Sequence, residues 1–380
     1  MKNNRTFLEK LLDGAEVKWK PLGKVTDIKT GQSVSKNIIA QNPGIYPVIN
    51  SGREPLGFIN VWNTENDPIG ITTRGAGVGS ITWQEGKYFR GNLNYSVTIK
   101  SEYELNVRFL YHMLLHFQKE IHNLCSFTGI PALNASELKK LEIPIPSLSV
   151  QTEIVRILDA LTALTGELTS ELILRRKQYE YYREKLLSHN DSENSSQQKV
   201  DKDKLFSTSN IQWLHLNEIY KFQYGIGNKI PTIGGEYPVY GSNGIVGSHN
   251  EYNSEDAPVI GHIGAYAGIV NWAEGKHFVT YNGIICNKIN DNVNSRYAYY
   301  LLLSQNFIDK ANKASQPFIS YDILNKCIVP VPPIEEQERI VSILNKFEAL
   351  TNSITEGLPL AIEQSQKRYE YYRELLLNFS

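Results

Sequence analysis

The most constraining feature of this sequence is that it contains one unit twice. Residues 177–187 read KQYEYYREKLL, and residues 367–377 read KRYEYYRELLL. Upstream, IPIPSLSVQTEIVRIL at 143–158 corresponds to VPVPPIEEQERIVSIL at 329–344. Because self-similarity at a long and steady offset marks a repeated structural unit, we expect two copies of one fold, related by pseudo-twofold symmetry.

Each copy consists of a globular part followed by a helical part. Within the globular parts, WQEGKYF at 83–89 corresponds to WAEGKHF at 272–278, in the same order as the other matches. These parts are rich in glycine, asparagine and tyrosine, and short strand-like runs alternate with turns. Each ends in a helix-like segment. The sequence therefore predicts an α/β fold of the mixed α+β kind for both globular parts.

The helical parts carry a heptad pattern, which is typical of coiled coils. A helix over residues 151–188 would span roughly 55–60 Å, longer than a small domain. We therefore expect two long helices that pair in antiparallel fashion; the alternative is a single amphipathic helix packed on its own domain. The predicted seam of the helix pair comprises Leu158, Leu161, Leu168, Leu172 and Tyr179 in the first copy and Leu344, Phe347, Ile354, Tyr369 and Tyr372 in the second.

The second helical part contains four additional residues, because the offset between the copies grows from 186 to 190. Four extra residues are a stutter, which locally unwinds a coiled coil. Pro359 lies near this insertion and predicts a kink or interruption of the helix.

These patterns divide the chain into five segments. The segment 189–204 is polar and predicts a flexible linker. The predicted segments are a first globular domain (1–142), a proline elbow with the central long helix (143–188), the linker (189–204), a second globular domain (205–328) and an elbow with the C-terminal long helix (329–380).

Composition excludes several classes of protein. No apolar run approaches the roughly 18–20 residues that a membrane span needs, and the N-terminus has no signal-peptide core. Three scattered cysteines, Cys125, Cys286 and Cys327, show no metal-ligand spacing. Reduced thiols of this kind are typical of a cytoplasmic protein.

The sequence contains only weak matches to catalytic and cofactor-binding motifs. Residues 74–80 read RGAGVGS, a glycine string that could cradle a cofactor phosphate, but the run that follows it is strand-like rather than helical. A tight strand–turn–strand is the favoured interpretation. The sequence also lacks a G-x-x-x-x-G-K-[ST] phosphate loop and any serine–histidine–aspartate or metal-spaced histidine group.

A duplicated acidic motif raises a second enzymatic hypothesis. Glu-Gly-Lys at 85–87 repeats at 274–276, and each copy follows an aspartate, Asp67 or Asp256, by eighteen residues. This layout is typical of Mg²⁺-dependent nucleases. A hairpin turn with solvated charges is the alternative, and it is favoured because Glu-Gly-Lys is ordinary turn chemistry.

The remaining polar residues favour nucleic-acid binding. The formal net charge is −1, but residues 1–142 carry 17 basic and 13 acidic side chains, whereas residues 205–328 carry 8 and 9. Arginine and lysine contact phosphates and guanine, and asparagine contacts adenine. The candidate DNA-binding residues are Arg53, Arg74, Lys87, Arg90, Asn92, Asn94, Asn243, His262, Lys276 and Asn282.

The whole pattern resembles the specificity subunits of type I restriction–modification systems. The residues that carry the resemblance are the proline elbows leading into Gln-x-x-Ile-Val-x-Ile-Leu at 151–158 and 337–344, the Tyr-Glu-Tyr-Tyr-Arg-Glu runs at 179–184 and 369–374, and the loop from Tyr237 to Gly244. The resemblance covers essentially the whole chain.

The resemblance implies two target-recognition domains that each read one half of an interrupted site in double-stranded DNA, with the helix pair as a ruler. It implies a chain with no catalytic residues, no metal and no cofactor of its own. Two modification (methyltransferase) subunits and restriction/translocase subunits would bring S-adenosylmethionine, ATP and Mg²⁺. The alternatives are the duplicated nuclease and a scaffold that does not bind DNA.

The repeated tyrosine motif also contains residues that fall off the seam. Tyr181 and Tyr371 are of this kind, and with Arg183 and Arg373 they are the candidate partner-binding residues. The alternative is that these side chains only lie along the helix surface, with apolar stems covered and polar tips in water.

Overall fold

The computed structural model describes residues 7–52, 54–188, 210–227, 230, 234–312, 315–353 and 355–379. The chain divides into two compact units. The first contains Met1–Thr169 and Ala361–Ser380, and the second contains Ser170–Leu360. We call residues 7–147 domain 1 and residues 210–333 domain 2. The predicted linker 189–204 and the predicted seam residue Ile354 lie outside the described residues.

Domain 1 combines short strands with short helices. The elements are α1 (Phe7–Leu12), β1 (Lys18–Pro21), α2 (Leu22–Val25), β2 (Thr26–Thr30), α3 (Lys36–Gln41), β3 (Pro43–Ile49), β4 (Phe58–Ile59), β5 (Thr64–Glu65), β6 (Ile69–Thr72), β7 (Ile81–Trp83), β8 (Lys87–Arg90), β9 (Asn94–Ile99), α4 (Val107–His116), α5 (Gln118–Asn123), α6 (Ala135–Leu138) and β10 (Glu142–Ile145). One sheet has the strand order β2–β9–β6–β7, and a second has the order β4–β3–β8–β5, in which β3 and β8 are parallel.

The long helix α7 (Leu148–Leu187) follows domain 1 directly. No proline interrupts it after Pro146, which stands just before its start, where a proline costs the helix no hydrogen bond. Its residues up to Thr169 belong to the first unit and the rest to the second.

Domain 2 repeats the same connectivity. The elements are β11 (Gln212–His215), α8 (Leu216–Ile219), β12 (Tyr220–Tyr224), β13 (Tyr237–Gly241), β14 (Gly244–His249), β15 (Ser254–Gly261), β16 (Val270–Val279), β17 (Gly283–Lys288), α9 (Ser295–Ser304), α10 (Phe307–Lys310), α11 (Tyr321–Asn325) and β18 (Ile328–Val331). Its sheet has the order β12–β17–β15–β16–β13–β14, with β13 and β16 parallel as β3 and β8 are in domain 1. The predicted mixed α/β fold is confirmed.

The first and last strands of each domain close it into one body. Strand β1 pairs antiparallel with β10, and β11 pairs antiparallel with β18. The closing strands β10 and β18 contain the proline elbows, so the chain leaves each domain at a fixed place.

The second copy has two helices where the first has one. Helix α12 (Ile334–Asn352) ends before α13 (Gly357–Leu377), so the predicted interruption near Pro359 is present. Gly357 has a φ of +76°, which favours glycine, and a side chain there would lie 2.6 Å from the carbonyl oxygen of Ala349. Pro359 stands in the first turn of α13, where its missing N–H costs no hydrogen bond.

Antiparallel helix packing occurs within each unit. In the first unit, Thr165 Oγ1 lies 2.8 Å from Ser365 Oγ, while Leu158 and Leu376 share one buried cluster. In the second unit, Arg176 donates to the Thr351 carbonyl at 3.4 Å. Farther along α7, the ring of Tyr182 stacks on that of Phe347, with centroids 5.7 Å apart. As the residue numbers of α7 increase, the numbers of the residues it contacts decrease, as antiparallel packing requires.

The predicted seam residues differ in burial. Tyr372 is 37% exposed, as is Tyr182 in the first copy, so this part of the seam is open to solvent. Buried seam residues are Leu158, Tyr179 and Leu344, and half-buried ones are Leu161, Leu168, Leu172, Phe347 and Tyr369.

The repeated tyrosine motif anchors the helix ends to the domain cores. Leu376 and Leu377 of α13 belong to the buried cluster of domain 1, and Leu186 and Leu187 of α7 belong to that of domain 2. All four are at most 3% exposed. The apolar end of each motif is therefore retained by packing against a globular core.

A buried glutamine connects each domain to the helix that leaves it. Gln151 is fully buried; it accepts from the Asn106 N–H at 2.8 Å and donates to the carbonyls of Glu104 and Pro146 at 3.2 and 2.9 Å. Gln337 makes the corresponding three bonds, to Asn294, Asn292 and Pro332. Asn106 also caps α4, as Asn294 caps α9. One amide in each copy thus aligns the elbow, the helix that leaves the domain, and the N-terminus of α4 or α9.

We predict that Gln151→Ala lowers the stability of domain 1 by at least about 2 kcal/mol, because it leaves buried backbone groups without partners. This corresponds to a fall of roughly 4–8 °C in the thermal unfolding midpoint. Calorimetry measures it, with Gln364→Ala on the exposed face of α13 as the control. Equal melting of the two variants would contradict the role of the amide.

Candidate functional site

Loops from four places converge at one edge of domain 1. Thr73 donates its N–H to the Leu93 carbonyl at 2.9 Å, and Gly75 donates to Pro131 at 3.0 Å. The Leu93 N–H in turn donates to Asn50 Oδ1 at 2.9 Å. We call this surface loop edge 1 and define it as residues 50–52, 73–79, 91–93 and 126–133.

Domain 2 presents the same arrangement. The His262 N–H donates to the Asn282 carbonyl at 2.8 Å, Gly264 donates to Pro317 at 2.8 Å, and the His262 carbonyl accepts from Ile319 at 2.8 Å. We call this surface loop edge 2 and define it as residues 241–244, 262–268, 280–282 and 315–319. The two edges therefore share one backbone frame.

The structure brings five of the predicted DNA-binding residues onto these edges. Arg74 and Asn92 are exposed on loop edge 1, and Asn243 is exposed on loop edge 2. Asn282 is half-buried, and His262 is 6% exposed. DNA contact by these side chains stays a prediction, and Arg53 lies outside the described residues.

The two predicted lysines lie elsewhere. Lys87 is at the start of β8, about 13 Å along that strand from the 91–93 turn. Its Nζ lies 4.6 Å from the centroid of the Trp62 ring and 3.8 Å from Glu65 Oε1. Lys276 lies over the ring of Tyr252 at 4.7 Å. Both lysines are exposed, but they are not part of the loop edges.

Arg90 is turned into domain 1 and is only 3% exposed. Its Nη1 donates to the carbonyls of Ile69 and Tyr95 at 3.1 and 3.0 Å and to Asn94 Oδ1 at 2.6 Å. Asn94 is fully buried. Contact of Arg90 or Asn94 with DNA bases would therefore require this network to open.

An acidic and a phenolic group complete the network around Arg90. Its Nη2 donates to the Asp67 carbonyl at 2.7 Å and to the Tyr88 hydroxyl, and it lies 3.8 Å from Asp67 Oδ2. Burial raises the pKa of Tyr88 to about 12, against the opposing effect of the guanidinium. Burial also lowers the pKa of Arg90, an effect that the neighbouring Tyr88 hydroxyl and Asp67 oppose. The network is a structural element of domain 1.

One asparagine in each domain makes the same pair of backbone hydrogen bonds. Asn63 bonds the backbone N–H and carbonyl of Arg90 at 2.7 and 3.0 Å, and Asn253 does the same at Val279 at 2.7 and 2.9 Å. Sequence reasoning missed this pair of asparagines, although their order relative to the repeated tryptophans could have identified them.

An arginine also links each domain to its long helix. Arg108 lies 4.5 Å from the Trp83 ring centroid and 2.8 Å from Asp159 of α7. Arg296 lies 4.8 Å from the Trp272 ring and 3.2 Å from Glu348 of α12. The glutamine, asparagine and arginine pairs thus form a shared scaffold.

Other corresponding positions differ between the domains. Arg90 corresponds to Val279, because Asn63 bonds the backbone of the first and Asn253 bonds the backbone of the second in the same way. Asn92 corresponds to Tyr281 in the turn that follows. The scaffold is therefore common, whereas the loop edges carry different chemistry.

The candidate partner-binding tyrosines face solvent. Tyr181 is 57% exposed and Tyr371 is 63% exposed. Each packs edge-on against the next tyrosine, with centroids 5.4 Å apart. The two arginines instead lie over inner rings, Arg183 at 5.3 Å from Tyr179 and Arg373 at 5.6 Å from Tyr369. The outward surface of each motif therefore presents two neighbouring tyrosines among charged side chains.

The residues of the nuclease hypothesis are engaged separately. Asp67 Oδ2 accepts from Thr98 at 2.9 Å, and Glu85 Oε1 accepts from Trp83 Nε1 at 2.9 Å. Gly86, in the connection between β7 and β8, has a φ of +72°. Among the described residues, no group of three histidine, cysteine, aspartate or glutamate side chains could hold a metal ion. The expected hairpin is wrong, however: β7 and β8 belong to different sheets, and residues 274–276 lie inside the single strand β16.

The glycine string 74–80 and the cysteines also have structural interpretations. The string joins β6 to β7, which pair antiparallel, so it is a strand–turn–strand. Gly75 and Gly79 have φ values of +93° and +78°. The three cysteines are buried and free. In the part of the chain that the structure describes, no helix is long and apolar enough to cross a membrane.

Comparisons with known proteins agree on one family. The model of the type I restriction modification DNA specificity domain matches residues 15–178 and 216–364. A putative type I restriction enzyme specificity subunit from Haemophilus influenzae is 39% identical over 100% of both chains. The EcoR124I/EcoR124II specificity subunit from Escherichia coli is 32% identical, covering 98% of this chain and 97% of that protein.

A solved structure shares the fold. The crystal structure of the S subunit of a type I restriction–modification system from M. genitalium matches with a TM-score of 0.67 at 22% identity. The match covers 100% of this chain and 98% of that one.

We predict that Arg90→Ala lowers the stability of domain 1 by about 3 kcal/mol, because buried carbonyls lose their donor and the Asp67 carboxylate loses its ion-pair partner. Arg74→Ala, on the exposed loop edge, should change it by less than about 0.5 kcal/mol. Urea denaturation of both variants measures the difference. Similar stabilities would show that the inward network does not hold domain 1 together.

Proposed function

The chain belongs to the family of type I restriction–modification DNA specificity subunits, and on that premise we propose that each domain reads one half of an interrupted site in double-stranded DNA. The observation that carries the proposal is the presence of two family matches, at 15–178 and 216–364, one on each copy of the repeat. Each copy has its own core and its own loop edge, so two readers are joined in one chain.

The loop edges are the proposed DNA-facing surfaces. Arg74 and Asn92 on loop edge 1, and Asn243 on loop edge 2, present exposed donors of the kind that reach phosphates and base edges. The frame behind them is held by backbone bonds, so the side chains can vary without loss of the fold. Variation of this kind suits a family whose members recognise different sequences.

The helices have two proposed roles. As a ruler, α7 with α12 and α13 would set the number of unspecified base pairs between the half-sites. As a docking platform, the exposed Tyr181 and Tyr371 would each receive one modification subunit. The repetition of the motif, with the same exposed tyrosine in each copy, supports two equivalent docking places.

Catalysis is assigned to partner subunits in this proposal. Modification subunits would transfer methyl groups from S-adenosylmethionine, and restriction/translocase subunits would use ATP and Mg²⁺. The support is that the relatives are themselves named as specificity subunits. No observation favours the nuclease alternative, and the scaffold alternative differs in predicting no sequence-dependent DNA binding.

We predict that the chain, co-expressed with its modification partner, binds its target duplex in a sequence-dependent way. Arg74→Ala should weaken this binding by about 1–3 kcal/mol if it reads a base, or reduce the salt slope by about one if it contacts a phosphate. Titrations at several salt concentrations distinguish these cases, with Lys140→Ala, an exposed lysine in the turn after α6, as the control. Binding without any sequence dependence would refute the proposed function.

We predict separately that Tyr181→Ala and Tyr371→Ala each reduce the number of bound modification subunits from two to one. The double variant should bind none, because aromatic anchors dominate the energy of such interfaces. Native mass spectrometry measures the stoichiometry, and Tyr252→Ala, which removes an exposed ring from domain 2, is the control. A double variant that still binds two subunits would place the docking surface elsewhere.

A further inference from the structure

Four rings of domain 2 form one aromatic group beside loop edge 2. Tyr224 and Tyr321 are stacked, with centroids 4.2 Å apart and planes at 15°. His262 lies 4.4 Å from Tyr224 and meets Tyr281 edge-on at 5.3 Å and 90°. We call these four residues the aromatic group. Tyr281 is its outermost member, at 45% exposed.

Hydrogen bonds fix the inner members of the group. The Tyr321 hydroxyl accepts from the Tyr224 N–H at 2.7 Å. His262 Nδ1 lies 2.9 Å from the Ile319 carbonyl. Since a carbonyl can only accept, Nδ1 carries the proton in this bond. Three of the four rings are thus held in place by the fold.

Tyr281 is also held, but its ring faces solvent. Its N–H donates to the Gly227 carbonyl at 2.9 Å, and Gly283 donates to the Thr280 carbonyl at 2.9 Å to close the turn. The edge-on contact with His262 restricts the ring further. An exposed aromatic ring with so few free rotations loses little entropy when it binds.

The corresponding positions of domain 1 carry no rings. The shared backbone frame gives the correspondence. Tyr224 is the last residue of β12 and pairs with Ile284. Thr30 is the last residue of β2 and pairs in the same way with Tyr95. The His262 N–H and carbonyl make the same bonds as those of Thr73. The domain 1 counterparts of Tyr224, His262, Tyr281 and Tyr321 are Thr30, Thr73, Asn92 and Ala135.

Charge also differs between the edges. Loop edge 1 includes Arg74, whereas loop edge 2 contains no lysine or arginine among its described residues. Residues 205–328 as a whole carry 8 basic and 9 acidic side chains. The described residues of loop edge 2 therefore offer no charged donor to guanine.

We propose that Tyr281 is a specificity-determining residue that reads the C5-methyl group of a thymine in the half-site of domain 2. Apolar contact with that methyl is the one base-edge feature of the major groove that needs no hydrogen bond. His262, Tyr224 and Tyr321 are positioning residues that hold the ring. Asn92, at the same place on loop edge 1, offers hydrogen bonds instead, so the two domains read chemically different half-sites. The proposal rests on the proposed function.

The test uses the full chain with its modification partner and a duplex that carries the methylated motif found in the host genome. Each thymine of the motif is replaced in turn by deoxyuridine, which lacks only the methyl group. Replacement at one of these positions should weaken binding about fourfold, which is equivalent to ~0.8 kcal/mol for one buried carbon. Tyr281→Ala should abolish that penalty, and Tyr281→Phe, which keeps the ring, should retain it.

The matched control is Asn92→Ala, which should leave the deoxyuridine penalty unchanged. Thermal melting of the Tyr281 variants shows whether domain 2 is still folded, and the Phe variant keeps the test valid if the Ala variant is not. A motif with no deoxyuridine-sensitive thymine, or a penalty that persists in Tyr281→Ala, would overturn the proposal. If the complex of the unsubstituted chain shows no sequence-dependent DNA binding at all, the proposed function itself is rejected.

Discussion

A single buried amide determines how each domain meets its helix. Gln151 and Gln337 each bond one N–H and two carbonyls of the segments that converge at the elbow. A buried amide left without these partners is costly, so the geometry of the elbow has few alternatives. The prolines restrict the approach of the chain, and the amide then secures the first turn of the long helix. A recognition domain attached in this way transmits its orientation to the helix that follows.

The far end of each helix is secured differently. Leu186, Leu187, Leu376 and Leu377 are held by apolar packing in the domain cores, while the neighbouring tyrosines remain at the surface. One short motif thus has an inner face that stabilises the chain and an outer face that presents a tyrosine pair among charged residues.

The sequence predicted those features that depend on local pattern. The repeat, the mixed fold of the domains, the long helices and the interruption near Pro359 all follow from periodicity or from backbone chemistry. The direction of a polar side chain does not. Arg90 and Asn94 have the residue types of DNA readers, yet they are buried, because Asp67 and nearby carbonyls offer them partners only in the folded domain.

Comparison of the two copies shows which positions are structural and which differ between the domains, a distinction that residue type alone does not make. Positions with the same bonds in both domains, such as Asn63 and Asn253, belong to the scaffold. Positions that differ within the same frame, such as Asn92 and Tyr281, are where the two readers diverge. The sequence repeat brings such positions into correspondence, but only the long-range backbone bonds of the folded domains show which of them share a role.

The most direct measurement is a genome-wide map of methylated adenines in a methylation-free host that carries this chain and its modification partner. Two recognition domains in one chain predict a single motif with two specified blocks separated by a fixed number of unspecified base pairs. A contiguous motif, or methylation that does not depend on this chain, would contradict the account.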